Sequence, residues 1–174
     1  RKYYLTFSMR ADGSSKFPKE NRWGFFPSGA VSWRLSQEDF LKDNSVISDA
    51  KIRASYGLTG NNRVGAFDYM SSLTVSNQNG YGWNNDLTQG ANLATLGNYN
   101  LRWESTAAAD VGLDLSLFDD RITVIADYYH KNTTDLLLKA NLPLSSGYQN
   151  AMMNIGAVVN QGFEFTLNTV NILK

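Results

Sequence analysis

The feature that most constrains this chain is a long run of strictly alternating residues between positions 101 and 118. One set of alternate residues is mostly apolar, and the set between them is mostly polar or small. The first set is Leu101, Trp103, Ser105, Ala107, Ala109, Val111, Leu113, Leu115 and Leu117; the second is Arg102, Glu104, Thr106, Ala108, Asp110, Gly112, Asp114 and Ser116. A period of two predicts a β-strand with two different faces. The run is much longer than the about five or six residues of an ordinary strand in a soluble protein.

The run continues into a hairpin whose register is well specified. Asp119-Asp120 predicts a two-residue turn that brings Leu117 opposite Ile122. The same register gives three further apolar pairs, Leu115 with Val124, Leu113 with Ala126, and Val111 with Tyr128. A shift of one residue would turn the apolar set to the polar face, which makes any other register unfavourable.

Four other segments alternate in the same way, at 3–12, 23–36, 49–59 and 154–169. Their apolar sets are Tyr3, Leu5, Phe7, Met9 and Ala11; Phe25, Val31, Trp33 and Leu35; Ala50, Ile52, Ala54, Tyr56 and Leu58; and Ala157, Val159, Phe163, Phe165 and Leu167. The chain is therefore predicted to be all-β, with about six antiparallel strands of roughly 10 to 18 residues. Between them we predict a helical turn over 36–41 capped by Ser36, and a tight turn at Asn79-Gly80.

The strand lengths are those of strands that cross a membrane, which need about 9 to 11 residues and carry aromatic residues at both ends of an apolar band. Trp23 and Trp33 share a face, and their separation corresponds at a tilt near 40° to about 25 Å, the height of that band. The link at 119–120 is tight and that at 36–48 is modest, whereas the stretches at 60–100 and 132–150 are long and, with that at 12–22, are assigned to the opposite end of the strands. This alternation favours an antiparallel up-and-down transmembrane β-barrel. A large soluble β-sandwich is the alternative fold.

The composition narrows the classes of function. The chain has 16 basic and 16 acidic residues, so it lacks the basic excess that nucleic-acid binding needs. It has no cysteine, which excludes disulfides and thiolate metal sites. No apolar run approaches the roughly 18 residues of a membrane-spanning helix. We expect no nucleic-acid partner, no metal and no cofactor.

Catalytic chemistry has few candidates. His130 is the only histidine, and its parity places it on the apolar face without a second metal ligand. Asp110, Asp114 and Asp127 would suit a glycosidase if two of their carboxyl groups lay about 5 to 9 Å apart. Parity places all three on the polar face, where charged residues line a barrel lumen. Further wall charges, expected to pair along that wall, are Arg10, Arg34, Lys51, Arg53, Arg102 and Glu104. We predict that the chain is not an enzyme.

Aromatic residues in the long polar loops are the candidate binding residues. They are Tyr81, Trp83, Tyr99 and Tyr148, in segments rich in Asn and Gly. Aromatic faces that stack on sugar rings, beside amides that bond hydroxyl groups, suit glycan capture. The simpler interpretation is that these rings pack against other loops or against a lid protein, because no spacing marks a sugar subsite. We predict contacts with a substrate or a lid.

Several motifs occur in a fixed order along the chain. They are RADGSSKF at 10–17, NRWGFFPS at 21–28, WRLS at 33–36, KIRASYGLTGN at 51–61 and LRWE at 101–104, followed by DYY at 127–129, TTDLL at 133–137, NIG at 154–156 and NQGFE at 160–164. This series resembles the SusC/RagA family of TonB-dependent outer-membrane transporters, which occur in gut and oral Bacteroidetes. The resemblance covers nearly the whole chain.

The resemblance implies an all-β, roughly 22-stranded outer-membrane barrel closed by an N-terminal plug. It also implies contact with outer-membrane lipid, import driven through the TonB complex, a SusD-like surface lipoprotein, and a glycan or peptide substrate. We expect residues 1–174 to be a partial barrel domain without the plug, the signal peptide and the final barrel strands. The alternatives are a soluble β-sandwich module that binds carbohydrate and a glycoside hydrolase fragment.

Overall fold

The computed structural model describes residues 1–42 and 44–171, with side chains described throughout except at 77–79, and it is built almost entirely of β-strands. The strands are β1 (Tyr3–Gly13), β2 (Trp23–Arg34), β3 (Ile47–Asn61), β4 (Ser72–Trp83), β5 (Asp86–Leu96), β6 (Glu104–Leu117), β7 (Ile122–Thr134), β8 (Leu137–Asn141), β9 (Asn150–Asn154) and β10 (Ala157–Thr169). Three 3₁₀ turns lie at Lys19–Asn21, Leu35–Gln37 and Leu144–Ser146. Within the described ranges, no helix is long and apolar enough to cross a membrane.

Six long strands form one antiparallel sheet in the order β1-β2-β3-β6-β7-β10. They correspond to the six predicted strands. Each strand pairs with the next one of this set along the chain, as in an up-and-down barrel. The sheet is open in the described part of the chain, with β1 and β10 at its edges. The β2–β3 and β6–β7 connections, of 12 and 4 residues, lie at one end, here called the short-link end. The 9-residue β1–β2 connection and the two much longer ones, β3–β6 and β7–β10, lie at the other, the long-loop end.

The hairpin between β6 and β7 has the predicted register. Leu117 pairs with Ile122, and the pairs Leu115–Val124, Leu113–Ala126 and Val111–Tyr128 follow. Asp119 and Asp120 have φ values of 54° and 62°. Positive φ at both central residues is typical of the hairpin turns whose twist matches that of the flanking strands. The two-residue turn predicted at these aspartates is therefore confirmed.

The two faces of the six-stranded sheet differ in chemistry. Residues that are directly opposite on neighbouring strands share a face, so the register assigns each side chain to one side. The apolar face carries Leu5, Phe7, Val31, Ile52, Val111, Leu113, Tyr128, Phe163 and Phe165. Leu5 and Phe163 are 81% and 85% exposed, and the described chain leaves this face uncovered. The polar face carries mainly Ser, Thr, Gly and charged residues. The predicted division into faces is confirmed.

The apolar band crosses the sheet obliquely. On β1 and β2 it extends towards the long-loop end as far as Trp23, which pairs with Gly13. On β7 and β10 the aromatic pair of the band nearest the long-loop end is Tyr128–Phe163. The residues paired with Tyr128 from strand to strand across the sheet end at Leu5 on β1. The edge of the band therefore drops by eight residues over five strand-to-strand steps. At about 3.3 Å per residue and 4.8 Å per strand this is a slope of roughly 45°, near the tilt of membrane-barrel strands.

A second, four-stranded sheet in the order β4-β5-β9-β8 occupies the predicted loops 60–100 and 132–150. The β5–β9 pair is parallel, through Thr95–Asn150 and Leu96–Ala151. The prediction that these segments were loops was wrong. Their strands show no clear alternation in the sequence, because β8 and β9 are short and the β4–β5 register shifts twice. The tight turn predicted at Asn79-Gly80 was also wrong, since both residues lie within β4. The turn is at Asn84-Asn85, where φ is 50° and 64°.

The strand ends depart from the predictions in two further places. At the end of β2, Leu35 begins a 3₁₀ turn, and the Ser36 hydroxyl donates to Asp49 instead of capping a helical turn. Before β6, Leu101 is fully buried and Trp103 packs beside it, although alternation predicted both for the apolar face. Alternation assigns faces only within a strand, and β6 begins at Glu104.

Candidate functional site at the long-loop end

A compact apolar cluster holds the long-loop end together. Phe17, Val64 and Leu101 are buried at its centre, and Tyr69, Trp103, Leu137 and Met152 pack against them. We call these seven residues the rim cluster. They come from every long connection of the six-stranded sheet, so one small core joins segments that are far apart in sequence.

Trp103 links the rim cluster to the polar face of the sheet. Its ring centroid lies 5.3 Å from that of Phe17 and 5.5 Å from that of Phe26 on β2. Its indole Nε1 donates to the carbonyl of Arg22 at 3.1 Å, which satisfies the polar atom of a half-buried ring. The Phe26 ring fits beside β2 and β3 because residues 24 and 60 are both glycines, where a Cβ would overlap the ring.

Asparagine side chains bind the loop backbones to one another. Asn154 accepts from the Arg102 amide at 2.9 Å and donates to the carbonyls of Arg102 at 2.8 Å and Asp135 at 2.9 Å. Asn21 donates to the carbonyl of Leu101 at 3.2 Å. These residues belong to the LRWE, TTDLL, NIG and NRWGFFPS motifs. The motifs that are separate in the sequence therefore meet at one place in the structure.

Arg102 belongs to this end rather than to the lumen wall, where it was predicted. Its Nη2 lies 2.7 Å from Asp135 Oδ1, and both residues lie outside the strands. The hydrogen bond to Asp135 raises the pKa of the Arg102 guanidinium above its ordinary value. Since arginine is already charged at every physiological pH, this pair ties β6 to the β7–β8 connection without acting as a pH switch.

The polar face carries a charge cluster centred on Arg53 of β3. Its Nη1 lies 3.2 Å from Asp110 Oδ1, its Nε 3.2 Å from Asp114 Oδ1, and its Nη2 2.5 Å from Asp127 Oδ1. Lys51 Nζ lies 2.6 Å from Asp114 Oδ2. The predicted pairing of wall charges is thus confirmed for Lys51 and Arg53. The aspartates that were considered for glycosidase chemistry are all bound to cations.

A cavity of about 700 Å³ lies on the polar face, between the charge cluster and the rim cluster. Its wall is made of small and hydroxyl residues, among them Thr6, Ser8, Ser28, Ser55 and Thr59. Phe26 and Trp103 close it towards the rim, and Arg10 pairs with Asp12 at its side with Nε 2.7 Å from Oδ2. Such a wall offers hydrogen bonds to a polar solute without a strong net charge.

Two of the four predicted aromatic residues come together on the β4–β5 hairpin. Tyr81 and Trp83 are 57% and 71% exposed and pair with Thr88 and Asp86. Tyr81 comes five positions after Ser76, whereas their partners Gly90 and Thr88 are two positions apart. Since residues two positions apart on β5 share a side, this irregularity places Tyr81 and Trp83 on the side of Ser76, opposite to Leu73 and Val75.

The other two aromatic residues lie elsewhere. Tyr99 packs edge-to-face on Tyr69, with ring centroids 5.9 Å apart, next to the rim cluster. Tyr148 is half-buried in the turn between β8 and β9, where Ser146 Oγ bonds its backbone. In the described chain, no ring contact joins these residues to Tyr81 or Trp83. Tyr99 thus shows loop-to-loop packing, while the exposed pair Tyr81 and Trp83 stays available.

His130 lies on the apolar face, as its parity predicted. Its Nδ1 is 3.0 Å from Gln161 Oε1 on β10. The described chain contains no group of three or more His, Cys, Asp or Glu residues that could hold a metal ion. The residues that the sequence reasoning missed are those of the rim cluster. The ordered motifs around Phe17, Leu101 and Trp103 were the available signal, although their meeting point could not be read from the sequence.

Together, the oblique apolar band, the polar inner face and the alternate short and long connections define the wall of a membrane-spanning β-barrel. Residues 2–171 match the family model described as TonB dependent receptor-like, beta-barrel. The chain belongs to this family of outer-membrane β-barrels, whose members are receptors and transporters and not enzymes.

Relatives and solved structures agree with this assignment. The chain is 42% identical to TonB-dependent receptor P3 of Formosa agariphila, over 98% of this chain and 17% of the relative. It is 40% identical to TonB-dependent receptor SusC of Bacteroides thetaiotaomicron, over 99% of this chain and 17% of the relative. It superposes on the RagAB peptide importer in the "closed-closed" state with a TM-score of 0.87 and 29% identity, covering 100% of this chain and 18% of that one. The chain thus spans less than a fifth of these proteins, as a portion of a SusC- and RagA-like barrel.

Proposed function

We propose that this chain forms part of the barrel wall of an active outer-membrane importer of glycans or peptides. The observation that carries the proposal is the two-sided sheet, with an uncovered apolar band on one face and a polar wall on the other. The apolar face would contact outer-membrane lipid, and the polar face would line the path of the solute. The TonB complex would supply the energy through parts of the protein that lie beyond this portion of the barrel.

The substrate class is supported by two kinds of observation. The polar cavity offers hydroxyl groups from Ser and Thr, which suits solutes rich in hydrogen-bonding groups, such as oligosaccharides or peptide backbones. One similar solved structure is that of a peptide importer, and one similar relative is SusC.

We propose that the long-loop end faces the cell exterior, since outer-membrane barrels have short periplasmic turns and longer outer loops. A SusD-like surface lipoprotein would then cover this end. Tyr81 and Trp83, exposed on one side of the projecting hairpin, would contact the substrate or this lid. Tyr99, which is 63% exposed beside Tyr69, would add a further contact, and the half-buried Tyr148 would have a weaker role.

The test compares two neighbouring positions on opposite faces of β7. Val124 lies in the middle of the apolar band, and Thr123 lies on the polar face opposite Ser116 and Asn168. In the full-length protein, Val124→Arg is expected to cost about 2–4 kcal/mol and to reduce assembly in the outer membrane strongly. Thr123→Arg should assemble normally. The measurement is the amount of heat-modifiable barrel in isolated outer membranes; equal assembly of both variants would refute the proposal.

The same cells allow the solute and the lid to be tested. Labelled oligosaccharides and labelled peptides are offered to cells that express the Tyr81→Ala, Trp83→Ala double variant, with Tyr56→Ala, an equally exposed aromatic on the apolar face, as the control. We expect the double variant to lose uptake of one class, or to lose the co-purifying lipoprotein, while the control retains both. Unchanged uptake and unchanged recovery of the lipoprotein would show that Tyr81 and Trp83 contact neither the substrate nor the lid.

A further inference from the structure

The connection between β2 and β3 is fastened at both faces of the sheet. On the polar side, Arg34 Nε lies 2.9 Å from Asp49 Oδ1, and the Ser36 hydroxyl donates to the same carboxylate. On the apolar side, the connection is held by the side chain of Glu38. The connection therefore crosses the end of the sheet from the polar face to the apolar face within a few residues.

Glu38 is bound to the aromatic edge of the apolar band. Its carboxylate accepts from Lys2 Nζ at 2.9 Å, from the Tyr3 hydroxyl at 3.0 Å and from Trp33 Nε1 at 3.0 Å. Tyr3 and Trp33 stack on the apolar face with centroids 6.1 Å apart and an interplanar angle of 22°. In membrane barrels the polar tips of such rings point to the interface. Here the Glu38 carboxylate, from the β2–β3 connection, binds the polar tips of both rings.

The segment that Glu38 holds is mostly polar but exposes one large apolar side chain, next to the exposed Asp39. The Glu38 carbonyl accepts from the amides of Leu41 at 3.0 Å and Lys42 at 2.9 Å, which closes one helical turn. This turn presents Phe40, whose side chain is 71% exposed, beside the exposed cation Lys42. Phe118 is also half-exposed at this end and is tied to the same connection, because its amide donates to the Val46 carbonyl at 2.9 Å.

We propose that the β2–β3 connection is a membrane anchor, with Phe40 inserted into the periplasmic leaflet of the outer membrane and Lys42 at the level of the phospholipid phosphates. The inference rests on the proposed function, since it needs the barrel to be in a bilayer. Two observations select a phospholipid leaflet as the occupant. The turn is continuous with the apolar band through Tyr3 and Trp33, and it pairs an exposed aromatic ring with a cation, as interfacial anchors do.

Glu38 has a defined role in this arrangement. Without its three hydrogen bonds, the remaining ties of the connection would be those at Asp49 and at Val46, on either side of the turn, and the turn would be free to leave the apolar face. The adjacent Asp39 is exposed, so its removal changes the charge equally without removing these bonds. Glu38→Ala and Asp39→Ala therefore form a matched pair of variants.

The experiment measures the depth of a nitroxide label in the full-length protein, reconstituted into vesicles of phosphatidylethanolamine and phosphatidylglycerol. This chain has no cysteine, so Phe40→Cys provides a single labelling site once any cysteine elsewhere in the protein is replaced. Collisions of the label with dissolved oxygen report lipid exposure, and collisions with a water-soluble nickel chelate report water exposure. Val124→Cys is the lipid reference, and Ser45→Cys, an exposed residue of the same connection, is the water reference.

We expect the oxygen-to-nickel ratio at position 40 to approach that at 124, to shift towards that at 45 in the Glu38→Ala background, and to stay unchanged in the Asp39→Ala background. A ratio at 40 equal to that at 45, with 124 in lipid, would overturn the anchor while leaving the importer proposal intact. Low collision rates with both reagents at 40 would mean that a protein covers Phe40, which also overturns it. If 124 itself is in water, the membrane placement and the proposed function fail together.

Discussion

The two ends of the six-stranded sheet are fixed by different kinds of interaction. At the long-loop end, the rim cluster buries Phe17 and Leu101 completely and packs Trp103 against Phe26. At the short-link end, two carboxylates fasten the β2–β3 connection through hydrogen bonds and ion pairs that stay partly exposed. Each fully buried large apolar side chain contributes about 1.5–3 kcal/mol, whereas an exposed ion pair contributes about 0–1 kcal/mol.

The difference follows from what the connections contain. The β2–β3 and β6–β7 connections contain no strands, so a few directional bonds are sufficient to select their paths. The long connections carry whole strands, and ordering them requires a core of their own. The long-loop end therefore behaves as a small folded unit on top of the barrel wall, while the short-link end is an edge of the wall itself.

The largest expected effect is that of Trp103→Ala at the long-loop end. Truncating a large, well-packed aromatic costs about 3–5 kcal/mol. Because the β6–β7 hairpin does not depend on this ring, the long loops should become sensitive to protease while the strands stay protected. The measurement is limited proteolysis of the full-length protein in detergent, with fragments mapped by mass. Trp83→Ala, which removes a tryptophan that is 71% exposed, is the control and should leave the pattern unchanged.

A smaller loss of stability is expected from Gly60→Val, which tests how tightly the Phe26 ring is packed. A Cβ at this position overlaps the Phe26 ring, and overpacking of this kind costs typically 1–3 kcal/mol. Gly82 has open space around its Cβ position, so Gly82→Val should have almost no effect. Urea unfolding of the two variants in detergent gives the comparison. Equal unfolding midpoints would show that the long-loop end is loosely packed.

The smallest effect is expected at the short-link end and depends on pH. The hydrogen bond from Lys2, followed by that from Trp33, holds the pKa of Glu38 below its usual range. A carboxyl whose pKa is lowered in the folded state stabilises that state above the pKa of the unfolded chain, and the contribution is lost as the pH falls through the folded-state pKa.

The unfolding midpoint of Glu38→Ala should therefore lie slightly below that of the parent protein near pH 7; the difference should begin to shrink below about pH 4.3, the ordinary pKa of a glutamate, and vanish below the folded-state pKa of Glu38. Asp39→Ala should follow the parent protein at both pH values. A difference for Glu38→Ala that persists in acid would mean that packing, and not the charge of the carboxylate, holds the connection.

The sequence was sufficient for the six-stranded sheet because each long strand has two faces of different chemistry. The β6–β7 register follows from four consecutive apolar pairs and an Asp-Asp turn, and the structure confirms each of them. The wall charges could be assigned to one face for the same reason. Their specific partners, such as the three aspartates around Arg53, depend on a register across β3, β6 and β7 that alternation alone does not fix.

The long-loop end could not be predicted in the same way. The β4–β5 hairpin breaks its alternation at irregularities, and β8 and β9 are too short to show a period. Leu101 and Trp103 seemed to continue an alternating run, although they precede the strand and turn into the rim cluster. Glu38 gave no signal, since an acidic residue after a strand is common and its three donors come from residues 2, 3 and 33.

The irregular pairing between Ser76 and Tyr81 has a consequence for how such a protein can diverge. Thr88 and Asp86 on β5 set which side of the hairpin Tyr81 and Trp83 occupy, so gaining or losing one residue between Ser76 and Tyr81 would enlarge or reduce the irregularity and leave both rings where they are. The register of the hairpin next to the Asn84-Asn85 turn would be kept, and the barrel wall would be untouched. Descendants of one gene could thus vary the length of this segment by single codons while the two exposed rings keep their place.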